Sequence, residues 1–300
     1  MTDPIANGIT IRTLVATEEY HQAEVAQRDI WGMTDLSEIA PASVLVTAQK
    51  NGGLVAGAFN DSGHMVGFLF GFVGVTKDGK FKHCSHLMGV LPELRRQGVG
   101  EALKRYQRDY VLRQGLFDLV TWTFDPLEGA NATLNIARLG GLARRYYVNL
   151  YGEMPDGLNR GLPSDRFEVE WWVKSPRAET FLAERAMPTQ ADLLGQGAVL
   201  INTTRLESNG GLAPIGADLT VSSEVLLLEV PPVFQAIKAL SMELALTWRA
   251  HTATIFQHYF GLGYAAIDFI READDVTGIR RHFYVLSRQA AGIPTLEMHQ

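Results

Sequence analysis

Between residues 44 and 91 four apolar runs, VLVTAQ, LVAGAFN, DSGHMVGFLFGFVGV and KFKHCSHLMGVL, are divided by NGG, NDSG and KDGK. Glycine in such dividers supplies the positive φ of tight turns, so the pattern predicts strands joined by hairpins. An antiparallel meander excludes the strand, helix, strand alternation with which a dinucleotide-binding fold opens. Upstream, ATEEYHQAEVAQRDIWG spaces Tyr20, Val25 and Ile30 for a helix. Downstream, VGEALKRYQRDYVLRQG places Val99, Ala102, Leu103, Tyr106 and Tyr110 on one stripe and Glu101, Lys104, Arg105 and Arg108 elsewhere. That is an amphipathic helix closed by Gly115.

Beyond this helix come the strand LVTWTF, a DPLEG turn, a short helix ANATLNIARLG and the extended runs ARRYYVNLYG and RFEVEWWVKS. From residue 181 the chain passes through helical FLAERA, extended GAVLINTT, the loop SNGGLAPIGADL and the strand VLLLEV. A long helical stretch beginning at Phe234 and two extended runs, YAAIDFI and RRHFYVLSR, follow. Strand, helix, strand, strand thus recurs, either as a degenerate half-copy or as a common order met twice. The expected fold class is α+β: a mixed, mostly antiparallel twisted sheet flanked by helices.

The junction LRRQGVGEAL (94–103) joins the last meander strand to the amphipathic helix. A helix start has free N–H groups and a positive dipole end, and glycines let those amides converge on an anion. Arg95 and Arg96 would add charge-assisted hydrogen bonds to a diphosphate, while Gly98 and Gly100 permit close backbone approach. The same six residues also suit a solvated basic turn. No GxxxxGK with Ser or Thr after it occurs, and RRQGVG lacks GxGxxG spacing.

A formal charge of −6 gives no basic footprint for nucleic acid. A single cysteine, Cys84, rules out an internal disulfide and a multi-cysteine zinc site, and no metal is expected. No apolar run reaches the roughly 18 residues of a membrane span. The start MTDPIANGIT lacks the basic and apolar regions of a signal peptide, so a cytoplasmic protein without a membrane partner is expected.

The pattern VLPELRRQGVGEAL resembles motif A of the GNAT superfamily of acyl-CoA-dependent N-acyltransferases, through Val90, Pro92, Arg95, Gly98 and Gly100. The order of elements over about residues 9 to 174 is also similar to that family, and the segment from DPLEGANATLNIARLGG to RFEVEWWV looks like a bacterial group of large predicted members with an extra C-terminal region. The resemblance implies a GNAT domain over residues 1–180 and a smaller, degenerate GNAT-like α+β region over 181–300. It implies acetyl-CoA or another acyl-CoA as cosubstrate. The amides of Arg96, Gln97, Gly98, Val99 and Gly100 would grip the pyrophosphate, and the backbone of Met88, Gly89 and Val90 would pair with the pantetheine arm. An N–H near Val90 would polarise the thioester carbonyl. Asn131 or Asn135 would take the place of a family asparagine that touches the cofactor.

Direct attack by an amine needs a base of near-neutral pKa, because an ammonium has no lone pair. His86 fills that role, four residues before Val90 and on its face by period two, with Cys84 beside it and His83 opposite. Many relatives carry a tyrosine as general acid four residues before the glycine ending the short helix; here Ile136 stands there, and Tyr147 is the substitute, with Tyr146 and Tyr151 close by. Asp125, Asp156, Arg160, Asp165 and Arg166 are charged groups available to an acceptor. The expected activity moves an acetyl or succinyl group to a small-molecule amine or amino acid. The other reading is a noncatalytic acyl-CoA sensor or scaffold, and homodimerisation is left open.

Overall fold

The computed structural model describes residues 8–32, 39–154, 157, 159–183, 185–273 and 278–289. They form two compact units, one through Trp122 and one from Thr123. The first holds β1 (Thr10–Thr13), α1 (Thr17–Trp31), α2 (Ala42–Lys50), the meander β2 (Leu54–Phe59), β3 (Met65–Val75) and β4 (Phe81–Val90), helix α3 (Val99–Gln114), and the start of β5 (Leu119–Phe124). Neighbours β1 to β4 pair antiparallel, whereas β4 and β5 run parallel.

Core residues separate onto two sheet faces. Tyr20, Ile30, Leu45, Phe68 and Phe70 pack together with α1 and α2. Val66, Leu69, Val99 and Leu103 pack on the α3 side. In α1, Glu19 accepts the N–H groups of Val15 (2.7 Å) and Ala16 (3.1 Å), and Gly32 ends the helix at φ +62. Arg12 bonded to Glu19 holds that carboxyl down at about 2. Tyr20 and Ile30 are buried as expected, but Val25 is exposed.

The run VLVTAQ is not a strand: it lies inside α2, which starts after extended Pro41. Its β-branched valines favour a strand locally, but tertiary contacts decide. Leu45 is fully buried, a contribution of roughly 1.5–3 kcal/mol. One turn later the Gln49 amide donates to the Leu14 carbonyl and to Tyr20 Oη, both at 2.8 Å, and accepts from the Val55 N–H at 3.1 Å. A helix places the two side chains one turn apart on the same face.

The stripe of α3 stands with one exception. Lys104, placed among its polar positions, is fully buried. Its Nζ donates to Ser85 Oγ (2.8 Å) and Gln107 Oε1 (3.1 Å) and lies 3.5 Å from the Trp122 ring centre. Without a carboxylate beside it, burial pushes its pKa well below the usual lysine range.

The second unit runs α4 (Gly129–Ala132), a π-turn over Thr133–Arg138, β6 (Leu142–Tyr147), β7 (Arg166–Trp172), α5 (Pro176–Leu182), α6 (Gln190–Gly195), β8 (Val199–Leu200), β9 (Asn202–Leu206), β10 (Leu212–Ala217), β11 (Val225–Val230), α7 (Phe234–Leu240), α8 (Met242–Gly261), β12 (Ala265–Ala273) and β13 (Arg280–Ser287). The stretch SNGGLAPIGADL is therefore not only loop, because β10 pairs with β9. The long helix from Phe234 breaks at Ser241, whose hydroxyl accepts the Leu244 N–H and caps α8.

Strands of this unit follow the order β7-β6-β12-β13-β11-β8. Beside β7, strand β6 is bulged between Ala143 and Arg145; beside β13, strand β12 is bulged between Ala266 and Asp268. Ala143 and Ala266 are paired with each other. β8 and β11 pair parallel over two residues, as β4 and β5 do, but there Asn202 closes the gap, donating to Glu229 O (2.9 Å) and accepting from Glu229 N (2.8 Å).

Candidate active site

β4 and β5 pair only at His83↔Val120 and Cys84↔Thr121. From Ser85 to Val90, β4 continues without a β5 partner, so one backbone edge is open there. On its other side β4 is bulged against β3: Phe70 faces Leu87, whereas Gly71 faces Ser85. His86 is the inserted residue. A bulge re-aims side chains, and this one reverses an expectation. His86 does not share the face of Val90, because one extra residue breaks period two between them. Val90 and Met88 join the α3-side core, while His86 and Leu87 both line a pocket with residues of α2.

That pocket, about 390 Å³ in volume, is bounded by Ile39, Val44, Phe70, Phe72, His86 and Leu87. The His86 ring meets Phe70 and Phe72 edge-on, with centres 5.9 and 5.8 Å apart. Desolvation by these neighbours holds its imidazole below the ordinary value of 6.5, so it stays neutral at pH 7. Cys84 lies opposite Phe72 on the same face. His83 points the other way, against Tyr110 and Phe117, and burial lowers it to about 4. Among the described residues no cluster suited to a metal ion occurs.

At the end of β4 a single 3-10 turn, Pro92–Leu94, leads to the loop before α3. Arg96 and Gly98 both have positive φ, +64 and +85. Left-handed backbone at a non-glycine residue is strained and clusters at functional sites. Such alternation turns successive N–H groups to one side. The first α3 bond runs from Ala102 N–H to Gly98 O, so the Val99, Gly100 and Glu101 amides precede any intrahelical acceptor. A Cβ built on Gly98 meets nothing within 4 Å. The loop therefore offers backbone donors, open space and the Arg96 guanidinium.

The two arginines divide their work. Arg95 Nε donates to Val90 O (3.2 Å) and its Nη2 to Ile30 O (2.8 Å), tying the loop to β4 and to the last turn of α1. These bonds fix the guanidinium against the backbone of both elements. Gln97 likewise donates back to Glu93 O at 2.9 Å. Gly89 is also explained differently from the sequence reading. A Cβ there would lie 2.5 Å from Ile30 Cγ2, so the missing side chain admits α1.

The remaining candidates lie in the second unit. Tyr147 donates to Glu168 Oε2 at 3.1 Å, an oxygen that also accepts from Arg145 at 2.8 Å. Burial, then the Glu168 charge, raises its phenol above the usual value of 10. Asn131 is exposed on α4 and Asn135 is buried in the π-turn, its carbonyl accepting the Gly141 N–H. Ile136 is fully buried. Asp125 is taken up by a bidentate pair with Arg249 (2.7 and 2.5 Å). Asp165 accepts from Tyr146 (2.5 Å), and Arg166 donates to Asn159 (2.9 Å). These charges serve the interior of the unit, and Asp156 lies outside the described residues. The α2 side of the pocket and the buried Lys104 were not foreseen: the first because a helix was read as a strand, the second because a lysine reads as polar.

No family model and no curated protein matches the chain. Solved structures do. The ribosomal-protein-S18-alanine N-acetyltransferase from Escherichia coli matches at TM-score 0.43 and 17% identity, over 60% of this chain and 99% of that one. Arabidopsis thaliana NAA60 in complex with a bisubstrate analogue matches at 0.44 and 14%, over 55% and 97%. An acetyltransferase of the GNAT family from Streptococcus pneumoniae matches at 0.43 and 12%, over 54% and 98%.

Proposed function

We propose that the chain is an acyl-CoA-dependent N-acyltransferase of GNAT type, acting on a small-molecule amine or amino acid in the cytoplasm. The observation that carries this reading is the opening of the parallel β4–β5 pair beyond Cys84, with a bulge at His86 on one side and the left-handed loop before α3 at its end. An extended thiol arm fits a free strand edge, and a diphosphate fits converging amides. The cosubstrate supplies an activated acyl carbonyl when bound.

This chain's residues then have separable tasks. Loop amides from Arg96 to Gly100, with the Arg96 guanidinium, hold the diphosphate. The β4 edge from Met88 to Val90 aligns the arm, and an N–H near Val90 stabilises the oxyanion. Neutral His86 takes a proton from the incoming ammonium, the amine nitrogen bonds to the carbonyl carbon, and as the carbon–sulfur bond breaks the nitrogen's second proton passes to the departing thiolate, leaving the amide and the free thiol. We read residues 1–180 as the acyltransferase domain and 181–300 as a degenerate half-copy. The paired bulges at Ala143 and Ala266 support that duplication, and the Asn202 plug supports a second half without a cofactor cleft.

A noncatalytic acyl-CoA sensor is the second reading, favoured by Ile136 at the family acid position. Calorimetric titration of coenzyme A, acetyl-CoA and succinyl-CoA into wild type and Gly98→Trp tests the site. Binding lost in the variant supports the cleft, and no binding by wild type refutes it. Thiol release across an amine panel separates enzyme from sensor.

A further inference from the structure

The pocket beside His86 constrains the acceptor, given the acyltransferase reading above. We propose that the acceptor is a primary amine on an apolar body, alkyl or aryl, with no second charge close to the nitrogen. Among the described lining residues His86 is the one titratable side chain. It is already assigned to proton removal, and it is neutral. No arginine or lysine among them can hold an acceptor carboxylate, and no aspartate or glutamate can hold a second ammonium. A charge brought against such a wall loses water without gaining a partner.

The wall also has something to offer an apolar group. Phe72 is a large aromatic left 38% exposed, and Val44 on α2 is 47% exposed, across the same cavity. Phe70 is buried behind them. An alkyl chain or a ring laid between Val44 and Phe72 covers both and directs its amine to His86. The volume of about 390 Å³ suits one or two rings, at the lower end of ligand pockets. This narrows the acceptor expected from sequence: a free amino acid is disfavoured by its carboxylate.

The test measures thiol release from acetyl-CoA by the full chain with phenethylamine, hexylamine, phenylalanine and spermidine, after calorimetry with acetyl-CoA on the same protein. The expected result is kcat/KM roughly 100-fold higher for phenethylamine and hexylamine than for phenylalanine and spermidine. Val44→Asp, at an exposed helix position that tolerates charge, is expected to raise spermidine turnover about 10-fold and lower that of phenethylamine. Equal or better turnover of the charged acceptors by wild type overturns the acceptor assignment and leaves the enzyme reading intact. So does a Val44→Asp profile identical to wild type. Acetyl-CoA binding with no turnover of either apolar amine, and no heat on titrating them into the coenzyme A complex, overturns it as well. Failure of acetyl-CoA to bind refutes the acyltransferase reading itself and removes the basis of this inference.

Discussion

Gly98→Ala asks the most of the loop before α3. At φ +85 an alanine carries the left-handed penalty of roughly 1–2 kcal/mol, and the surroundings add nothing because no atom lies within 4 Å of the new methyl. Unliganded protein can relieve that strain by rotating the loop; the complex cannot if the amides must converge on a diphosphate. Stability loss and affinity loss should then sum to about the strain, and an affinity loss that takes most of it is roughly 5- to 30-fold. Gly79→Ala provides the control. Its φ is +80, its Cβ site is equally empty, and it sits in the β3–β4 hairpin away from the loop. Urea unfolding and acetyl-CoA calorimetry on both variants decide the matter. Gly79→Ala should lose stability alone, whereas Gly98→Ala should lose affinity. If Gly98→Ala binds within about twofold of wild type while losing as much stability as the control, the loop is not the phosphate cradle.

Removing the base by His86→Gln should lower kcat/KM by roughly 100-fold or more while leaving acetyl-CoA affinity unchanged. The wild-type pH profile should show an acid limb centred below 6.5, because desolvation disfavours the imidazolium, with activity rising as pH climbs through it and the limb absent from the variant. Arg95→Gln leaves the Val90 and Ile30 carbonyls short of a charged donor and should cost about 1.5–3 kcal/mol in urea unfolding. Lys104→Met should not destabilise at pH 7. The folded-state amine is lowered well below 10.5, so the unfolded chain binds the extra proton and wild-type stability rises with pH toward that value. Unfolding at pH 7 and pH 9 should show this slope in wild type and its loss in the variant.

Sequence sufficed wherever local chemistry decides conformation. The hairpins around NDSG and KDGK, most of the stripe of α3 and its Gly115 stop follow from turn residues and periodicity, and each stands in the structure, whereas NGG turns a helix, not a strand, into β2. It failed where a partner far along the chain decides. Residues 44–49 read as a strand because valine and threonine stiffen χ1, yet in the structure Gln49 bonds Leu14, Tyr20 and Val55 from a helix. Lys104 reads as surface because its burial depends on Ser85 and Trp122, neither near it in sequence. Arg95 and Arg96 look equivalent in RRQGVG. What separates them is the Ile30 carbonyl at the end of α1, which captures only the first.

The bulge at His86 shows why a site can be partly legible and still be misplaced. Period two puts His86 with Met88 and Val90, on the α3 side. One residue inserted against Phe70 and Gly71 breaks that register: His86 and Leu87 both face α2, while Ser85, bonded to Lys104, and Met88 and Val90 face α3. Neither strand signals the insertion, since a bulge is a property of the pairing of β3 with β4 rather than of either sequence alone. The displacement is what makes the chemistry separable. On the proposed reading, the open edge of β4 would be left to the cosubstrate arm and the loop before α3 would supply phosphate-binding amides, while His86 stands in an apolar pocket on the opposite face, where an amine could reach it without displacing the cofactor.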